Sequence, residues 1–172
     1  METAPTSDQP EEITLSPVDQ LLAIEEIKQR FAARLRIMDT KQWHLYPSVH
    51  TADMTSESWG AENRVAGIDA VTEGVRRTLD GAIPLTSVHH GHTPEITLTS
   101  NTTATGIWAM EDELWWDNEG TEEHLHGYGH YHEEYRYVNG RWLISFRTLS
   151  RIRVITTPNF QDYRTVNKPP NA

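Results

Sequence analysis

The chain has 172 residues, no cysteine and a formal net charge of −10 at pH 7. This length predicts one domain that is large enough to bury a core. The acidic balance argues against nucleic acid and anionic membranes as partners, because both require clustered lysine and arginine to displace counterions. The absence of cysteine excludes disulfide bonds, thiol catalysis and thiolate metal sites.

The two ends of the chain predict little structure of their own. Residues 1–15 are polar and rich in Pro, Thr and Glu, and they bury too few apolar groups to offset the entropy of ordering, so we expect a disordered leader. Residues 156–172 contain three prolines and are expected to be a tail that crosses the surface or a neighbouring subunit. Neither a signal peptide nor an apolar run of about 18 residues is evident, which predicts a cytoplasmic protein without a membrane partner.

Two helices are predicted in the first half of the chain. Ser16 suits the N-cap, Pro17 suits the first helical position, and Asp19 lies near the positive end of the helix dipole. Apolar residues then recur at three- and four-residue steps as far as Asp39, which predicts that one side of this helix packs inward. These residues are Leu21, Ile24, Ile27, Phe31, Leu35 and Met38. A second helix is predicted over residues 68–80 from the same kind of pattern.

From Ser87 onward the composition changes to strand-forming residues separated by turns. Asn139-Gly140 predicts a type I′ hairpin turn, because both residues of that turn need a positive φ. Helices followed by an antiparallel meander indicate an α+β domain over residues 16–155, in which a curved sheet wraps around the N-terminal helices. The predicted strands lie near residues 87–99, 104–117, 122–138 and 141–154.

Two successive predicted strands carry one candidate pair of catalytic side chains. His89 lies on the first strand and Asp112 on the second. A histidine titrates near neutral pH, and a carboxyl group beside it completes an acid/base pair. We therefore interpret His89 and Asp112 as candidates for proton transfer.

Five stretches of the sequence resemble a known family. They are residues 27–43, which end in Asp39-Thr40-Lys41-Gln42-Trp43, and then Gly91-His92-Thr93-Pro94-Glu95-Ile96-Thr97, Thr103-Ala104-Thr105-Gly106, Glu111-Asp112 and Ser150-Arg151-Ile152. Together with the order of elements, they resemble the SnoaL-like branch of the nuclear transport factor 2-like superfamily over roughly residues 20–155. Within that branch the resemblance is closest to bacterial bile acid 7α-dehydratase and more distant to scytalone dehydratase. It implies a cone-shaped α+β barrel with an internal pocket between the sheet and the helices.

The resemblance also implies a set of site residues. Carried over position by position, the catalytic residues of the dehydratase fall on Asp39, His89, Asp112 and Arg151. Arg34 stands where the dehydratase has a catalytic tyrosine, so the sequence departs from the family pattern there. The candidate substrate-binding residues are Arg34, Trp108 and three residues that share one side of a long strand, namely Tyr131, Glu133 and Tyr135.

The four implied catalytic residues suit the elimination of water from a hydroxyl next to, or conjugated with, a carbonyl group. This reaction requires a base for an acidic C–H, an acid for the departing oxygen and donors for the enolate charge. His89 would be the base, Asp39 would hold its tautomer, and Asp112 would share the proton transfer. Arg151 would stabilise the oxyanion, because a guanidinium stays protonated. Without the resemblance, Asp39 and His89 are more typical of structural groups, and Arg151 could simply pair with Glu133 or Asp112.

A second histidine cluster lies on one predicted strand. Its four imidazoles occupy even positions and so share one face, at His124, His126, His130 and His132. Imidazoles two residues apart on a strand can chelate zinc, copper or nickel. The resemblance, however, turns the odd-numbered residues toward the pocket. We therefore expect a solvated or subunit-facing row of histidines, with no native metal and no cofactor in the protein.

These observations predict a cofactor-free hydro-lyase acting on a hydroxylated, carbonyl-bearing hydrophobic metabolite such as a steroid or a polyketide. The alternatives on the same scaffold are a polyketide cyclase, an isomerase, an epoxide hydrolase and a non-catalytic ligand-binding domain. An epoxide hydrolase would give a diol rather than an alkene, and a binding domain would keep its ligand affinity without His89. The expected partners are a small hydrophobic substrate and further copies of the chain, because the closest relatives imply a trimer and the wider superfamily often forms dimers.

Overall fold

The computed structural model describes residues 12–58 and 61–158 of the chain. The first half contains helix α1 (Pro17–Asp39), a 3₁₀ helix (Trp43–Val49), strand β1 (His50–Ser56), a second 3₁₀ helix (Ala61–Asn63), strand β2 (Val65–Ala66) and helix α2 (Ile68–Asp80). Four long strands follow, namely β3 (Thr86–Leu98), β4 (Thr103–Asn118), β5 (Thr121–Val138) and β6 (Arg141–Thr156). The predicted α+β class is confirmed.

The six strands form one curved, unclosed sheet in the order β2-β1-β6-β5-β4-β3. Strands β3 to β6 make the antiparallel meander that the sequence predicts. Strand β1 instead pairs in parallel with β6, and the short β2 pairs with β1. No local pattern predicts the β1–β6 pairing, because the two strands are far apart in the chain.

Helix α1 begins and ends where the sequence predicts. The Ser16 hydroxyl oxygen accepts a hydrogen bond from the backbone N–H of Asp19 at 3.2 Å, which satisfies a donor of the first turn. Pro17 occupies the first helical position, where no intrahelical donor is needed. The local signals of this segment are therefore sufficient to define its boundaries.

The inward side of α1 differs from the prediction at one residue. Leu21 was expected to pack inward, but it is 67% exposed. Since successive helical residues are about 100° apart, Leu21 lies about 120° around the helix from the buried Ile27. Ala23 and Arg34 lie within about 40° of Ile27, and both are buried. The same geometry therefore carries the Arg34 guanidinium into the interior.

The core lies between the helices and the inner face of the sheet. Helix α2 contributes Val71, Val75 and Leu79, as predicted. Phe31 of α1 and Trp108 of β4 are among the largest buried side chains on the two sides of this layer. In the described part of the chain, neither α-helix is long and apolar enough to cross a membrane.

The register of the sheet places the candidate residues on neighbouring positions of adjacent strands. His89 on β3 opposes Asp112 on β4, and Asp112 opposes Gly127 on β5. On the other side of β5, Gly129 opposes Arg151 of β6. Because side chains alternate along a strand, even positions of β4 and odd positions of β5 face inward. Odd positions of β3 face inward as far as Gly91, and even positions do so from Pro94 onward, because the β3–β4 register shifts between these two residues.

Two tight turns connect the long strands. Asn139 and Gly140 have φ values of 51° and 78°, so the positive φ at both residues that the predicted turn requires is present. Glu119 and Gly120 connect β4 and β5 with φ values of 52° and 85°. These turns fix the register of β5 against both of its neighbours.

The expected leader and tail lie largely outside the described residues. The leader was expected to reach Leu15, but the backbone N–H groups of Thr14 and Leu15 donate to Asn101 Oδ1 at 2.9 and 3.3 Å. At the other end, the backbone N–H of Thr157 donates to the carbonyl of His124 at 3.0 Å. The described chain therefore contacts the domain slightly beyond both expected boundaries.

Candidate active site

Asp39 at the end of α1 faces His89 on the inner face of β3. Its Oδ1 lies 2.5 Å from Nδ1 of the His89 ring, and its Oδ2 accepts the backbone N–H of His89 at 2.9 Å. The hydroxyl of Ser87 also donates to Oδ1, at 3.0 Å. The carboxylate therefore favours the imidazole tautomer with its proton on Nδ1, and this leaves Nε2 able to accept a proton.

The surroundings of Asp39 keep it ionised. Partial burial opposes ionisation, but hydrogen bonds from His89 and Ser87 lower the pKa of Asp39 below its ordinary value of 3.8. Lys41 donates from Nζ to the Ser87 hydroxyl at 3.2 Å. The sequence interpretation missed Ser87 and Lys41, although Ser87 lies two residues before His89 and so shares its face of the strand.

Asp112 and Arg151 form a second pair beside the first. Arg151 donates from Nη1 and Nη2 to the two carboxylate oxygens of Asp112, both at 2.6 Å, and two parallel bonds of this kind fix the orientation of both groups. The Asp112 side chain is buried, whereas that of Arg151 is 28% exposed. A Cβ at Gly127 would collide with both partners, so glycine at this position makes room for the pair.

The two pairs meet on the inner face of the sheet. His89 and Asp112 are directly opposed in the β3–β4 register and face the same side. The structure therefore brings together all four residues that the resemblance implies. Chemically, the arrangement offers a nitrogen that can accept a proton, at His89, next to a fixed cation that can stabilise a negative oxygen, at Arg151. Their catalytic roles stay predictions.

Four of the candidate substrate-binding residues form a buried network with one another. Arg34 Nη2 lies 2.9 Å from Glu133 Oε1, and both side chains are fully buried. The Tyr135 hydroxyl donates to Glu133 Oε2 at 2.6 Å and accepts the indole N–H of Trp108 at 2.9 Å. Burial and the neighbouring Glu133 carboxylate raise the pKa of Tyr135 well above its ordinary value. Tyr135 was expected to bind substrate, but its hydroxyl donates to Glu133.

Aromatic rings enclose the Arg34 guanidinium. Its central carbon lies 5.0 Å from the centre of the Phe31 ring and 4.8 Å from that of Tyr131. Phe31 in turn stacks on Trp108, with ring centres 3.7 Å apart. Burial raises the pKa of Tyr131 to about 12, so its hydroxyl stays protonated. Between α1 and the sheet, the side chains that were expected to line a pocket therefore pack against one another.

A further buried polar group lies beside this network. His50 of β1 donates from Nδ1 to the carbonyl of Tyr46 at 2.7 Å, and the Arg147 guanidinium donates to the Tyr46 hydroxyl at 3.5 Å. Burial lowers the pKa of His50 to about 3, and the nearby Arg34 and Arg147 act in the same direction although the bond to Tyr46 opposes them. His50 is therefore neutral at ordinary pH. The sequence interpretation did not single it out.

A cleft of about 670 Å³ lies elsewhere, on the outer face of the sheet. Its lining includes Asp53, Arg64, Thr105, Glu134 and Arg136. None of the four implied catalytic residues lines it, so it is separate from the His89 site.

A model of one protein family matches most of this chain. The match is to the SnoaL-like domain and covers residues 19–148, from the first turn of α1 to the middle of β6. The chain belongs to the SnoaL-like family. The fold predicted from the resemblance, a SnoaL-like member of the nuclear transport factor 2-like superfamily, is therefore confirmed.

Solved structures share this SnoaL-like fold at low sequence identity. The Kfla4162 protein from Kribbella flavida aligns with a TM-score of 0.73 at 19% identity, over 85% of this chain and 99% of its own. The hexachlorocyclohexane dehydrochlorinase LinA-type3 from Novosphingobium barchaimii aligns at 0.71 and 16% identity, over 84% and 96%. A protein from Novosphingobium aromaticivorans provisionally assigned as a scytalone dehydratase aligns at 0.67 and 19% identity, over 81% and 91%. These similarities show that this SnoaL-like chain shares the fold of the three proteins.

Proposed function

We propose that this protein is a hydro-lyase that removes water, without a cofactor, from a hydroxylated, carbonyl-bearing hydrophobic metabolite. The observation that carries the proposal is the contact between His89 and Asp39, next to the Asp112–Arg151 pair. A reaction through an enolate needs a base that removes a proton from carbon and a donor that stabilises the oxyanion. The imidazole of His89 and the guanidinium of Arg151 can supply these two functions.

The proposed reaction begins with proton removal by His89. Nε2 accepts the proton from the carbon next to the carbonyl group, and the electron pair of that C–H bond moves to the carbonyl oxygen. Arg151 stabilises the oxyanion so formed. The enolate then collapses, the C–O bond of the neighbouring hydroxyl breaks, and the His89 imidazolium returns the proton to the departing oxygen. The products are water and a conjugated alkene, and the enzyme is restored.

The structure favours different roles for the two carboxylates. Asp39 holds the ring of His89 and favours the imidazolium that forms during the reaction. Asp112 was expected to share the proton transfer, but both of its oxygens accept from Arg151. We therefore assign Asp112 the task of positioning the guanidinium rather than that of an acid.

The fully buried Arg34–Glu133 pair limits where a substrate can bind. These side chains pack tightly with Phe31 and Tyr131 and leave no room for a substrate between them. The substrate would therefore approach from the side of Arg151 and Asp39, whose side chains are 28% and 21% exposed, and would reach His89, which is 7% exposed, from there. Steroids and polyketides are the substrate classes that the resemblance to bile acid 7α-dehydratase favours. Two structural neighbours are named as a dehydratase and a dehydrochlorinase, both of which are eliminating enzymes by name.

Mass spectrometry of a substrate panel tests the proposal. The purified protein is incubated with hydroxylated steroid ketones and hydroxylated polyketides, and a hit is a product lighter by one water. The His89→Ala variant serves as the matched control and should lose this activity while the protein stays folded. A product of unchanged mass would show an isomerase or a cyclase, and addition of water to an epoxide would show a hydrolase; either result, or binding without conversion, contradicts the hydro-lyase proposal.

A further inference from the structure

The outer face of the sheet carries a cluster of imidazoles and carboxylates on three adjacent strands. We call it the histidine–glutamate patch, and it consists of His90 and His92 on β3, Glu111 and Glu113 on β4, and His124 and His126 on β5. Asp112 lies between the two glutamates in the chain and faces inward, so the patch is on the opposite side of the sheet from His89. Of the four histidines expected in a row on this face, His124 and His126 belong to the patch, whereas His130 and His132 lie outside it.

The polar atoms of the patch already approach one another closely. Glu111 Oε1 lies 2.5 Å from His126 Nε2, and Glu111 Oε2 lies 3.5 Å from His92 Nε2. Glu113 Oε2 lies 3.1 Å from His124 Nε2. Ligand atoms of Glu111, Glu113 and His126 all lie within 4.8 Å of one another. Two carboxylates and three imidazoles therefore converge from three adjacent strands.

These distances fit the ligand set of zinc. Zinc binds imidazole nitrogen and carboxylate oxygen at about 2.0–2.2 Å in a tetrahedron, so two ligand atoms of one ion are about 3.4 Å apart. The Glu113–His124 and Glu111–His92 distances are already close to that separation. The shorter Glu111–His126 contact is a hydrogen bond in the metal-free protein, and an ion would replace its proton.

We propose that the histidine–glutamate patch is a zinc site, with Glu111, Glu113 and His126 as ligands and His124 or His92 as the fourth. Metal-bound histidines usually donate their other ring N–H to a nearby acceptor, which fixes the ring. Tyr128 provides that acceptor, since its hydroxyl oxygen lies 3.3 Å from Nδ1 of His126. The ion would crosslink β4 and β5 on the face away from His89, and it takes no part in the proposed elimination.

Zinc titration of the untagged full chain tests the site. Calorimetry with zinc chloride should show one equivalent per chain, and zinc should raise the melting temperature, because the folded state binds the ion. Cobalt(II) bound in place of zinc should give the strong visible absorption of a tetrahedral centre. Glu111→Gln and His126→Gln should each weaken zinc binding by at least about tenfold, and their folding is checked by circular dichroism.

The matched control is the double variant His130→Gln with His132→Gln. These imidazoles lie on the same strand and the same face, but their β4 partners are Ala109 and Ile107, which carry no ligand atom. The control should keep the affinity of the wild-type protein. The proposal is overturned if wild-type protein binds no stoichiometric zinc, if the control loses as much affinity as the ligand variants, or if half an equivalent binds with dimerisation, which would place the ion between copies.

Discussion

The imidazole of His89 and the carboxylate of Asp39 form a unit, because one side chain sets the tautomer of the other. When two residues act as a unit, the losses in kcat that follow from mutating each of them do not add in the double variant. His89→Ala should therefore lower kcat by at least about 10²-fold, the range expected for loss of general acid/base catalysis. Asp39→Asn should lose much of the same factor, and the double variant should be little worse than His89→Ala.

Steady-state kinetics on the substrate found in the panel measure this coupling. His130→Gln is the control, since it removes an imidazole from the outer face and should leave kcat unchanged. Strictly additive losses in the double variant, or near-normal turnover by a folded His89→Ala protein, would contradict the assignment of this pair as the catalytic centre.

Gly127 is a second residue with a defined effect. A methyl group there would meet both Asp112 and Arg151, so Gly127→Ala should destabilise the protein by about 1–3 kcal/mol, as overpacking typically does, and should lower turnover. In an Arg151→Ala background the guanidinium is absent, and the further cost of Gly127→Ala should be smaller. Urea unfolding of the four proteins measures this difference. If Gly127→Ala lowers the free energy of unfolding equally in both backgrounds, the glycine is needed for the backbone conformation and not to make room for the ion pair.

At the residue level, the sequence indicated which positions lie together, and the catalytic roles of these residues stay predictions. The resemblance aligned Asp39, His89, Asp112 and Arg151, and the structure brings these four together. It did not reveal that Arg34 pairs with Glu133, because a single charged residue in an apolar helix face carries no information about which strand it meets.

At the level of elements, the Arg34–Glu133 pair connects α1 to β5 through the core. Removing one partner of a buried ion pair leaves the other charge uncompensated, at a cost of about 3–5 kcal/mol. Glu133→Gln keeps an acceptor for the Tyr135 hydroxyl but removes the charge, so it should be strongly destabilising. Adding Arg34→Met should recover part of the loss, because both charges are then gone.

Chemical denaturation of the two single variants and the double variant measures the coupling. Arg30→Met is the control on α1, since the Arg30 guanidinium lies nearer the surface and bonds to Glu26 and a backbone carbonyl. If Glu133→Gln costs no more than Arg30→Met, the connection between α1 and β5 does not depend on this pair.

Local sequence signals predicted the helices and hairpins, but they did not predict which distant strands pair. Ser16-Pro17 marks the start of α1, and Asn139-Gly140 marks the last hairpin, because caps and turns depend on neighbouring residues only. The parallel pairing of β1 with β6 depends on chain segments that meet only in the folded state. The buried position of His50 follows from that pairing, so it could not be predicted either.

For the whole molecule, buried His50 makes stability depend on pH. Its pKa is about 3 in the folded protein and 6.5 ordinarily, so between these values the unfolded state binds more protons. The associated stability is complete above pH 6.5 and is lost as the pH falls toward 3, by up to about 1.4 kcal/mol per pH unit. Asp39 contributes to the pH dependence of stability only at lower pH, because its pKa in the folded protein lies below the ordinary value of 3.8. Its stabilising contribution is lost when the carboxylate is protonated.

Urea unfolding between pH 7.5 and about pH 5 tests this dependence. His50→Gln can still donate to the Tyr46 carbonyl but cannot be protonated, so its free energy of unfolding should vary less with pH than that of the wild-type protein. His130→Gln, which removes a histidine from the outer face, should keep the wild-type slope. An unchanged slope in His50→Gln would show that other groups govern the acid response.

The open end of the sheet exposes the protein to a hazard that closed barrels avoid. In the described part of the chain β3 is the last strand, and an unpaired strand edge can template the addition of another chain and so lead to aggregates. Pro94 lacks a backbone N–H, and the β3–β4 register is irregular between Gly91 and Pro94, so a foreign strand could pair along this edge only for a short distance. Pro94→Thr should therefore speed aggregation on mild heating, as followed by light scattering, and equal rates would show that the edge is protected in another way.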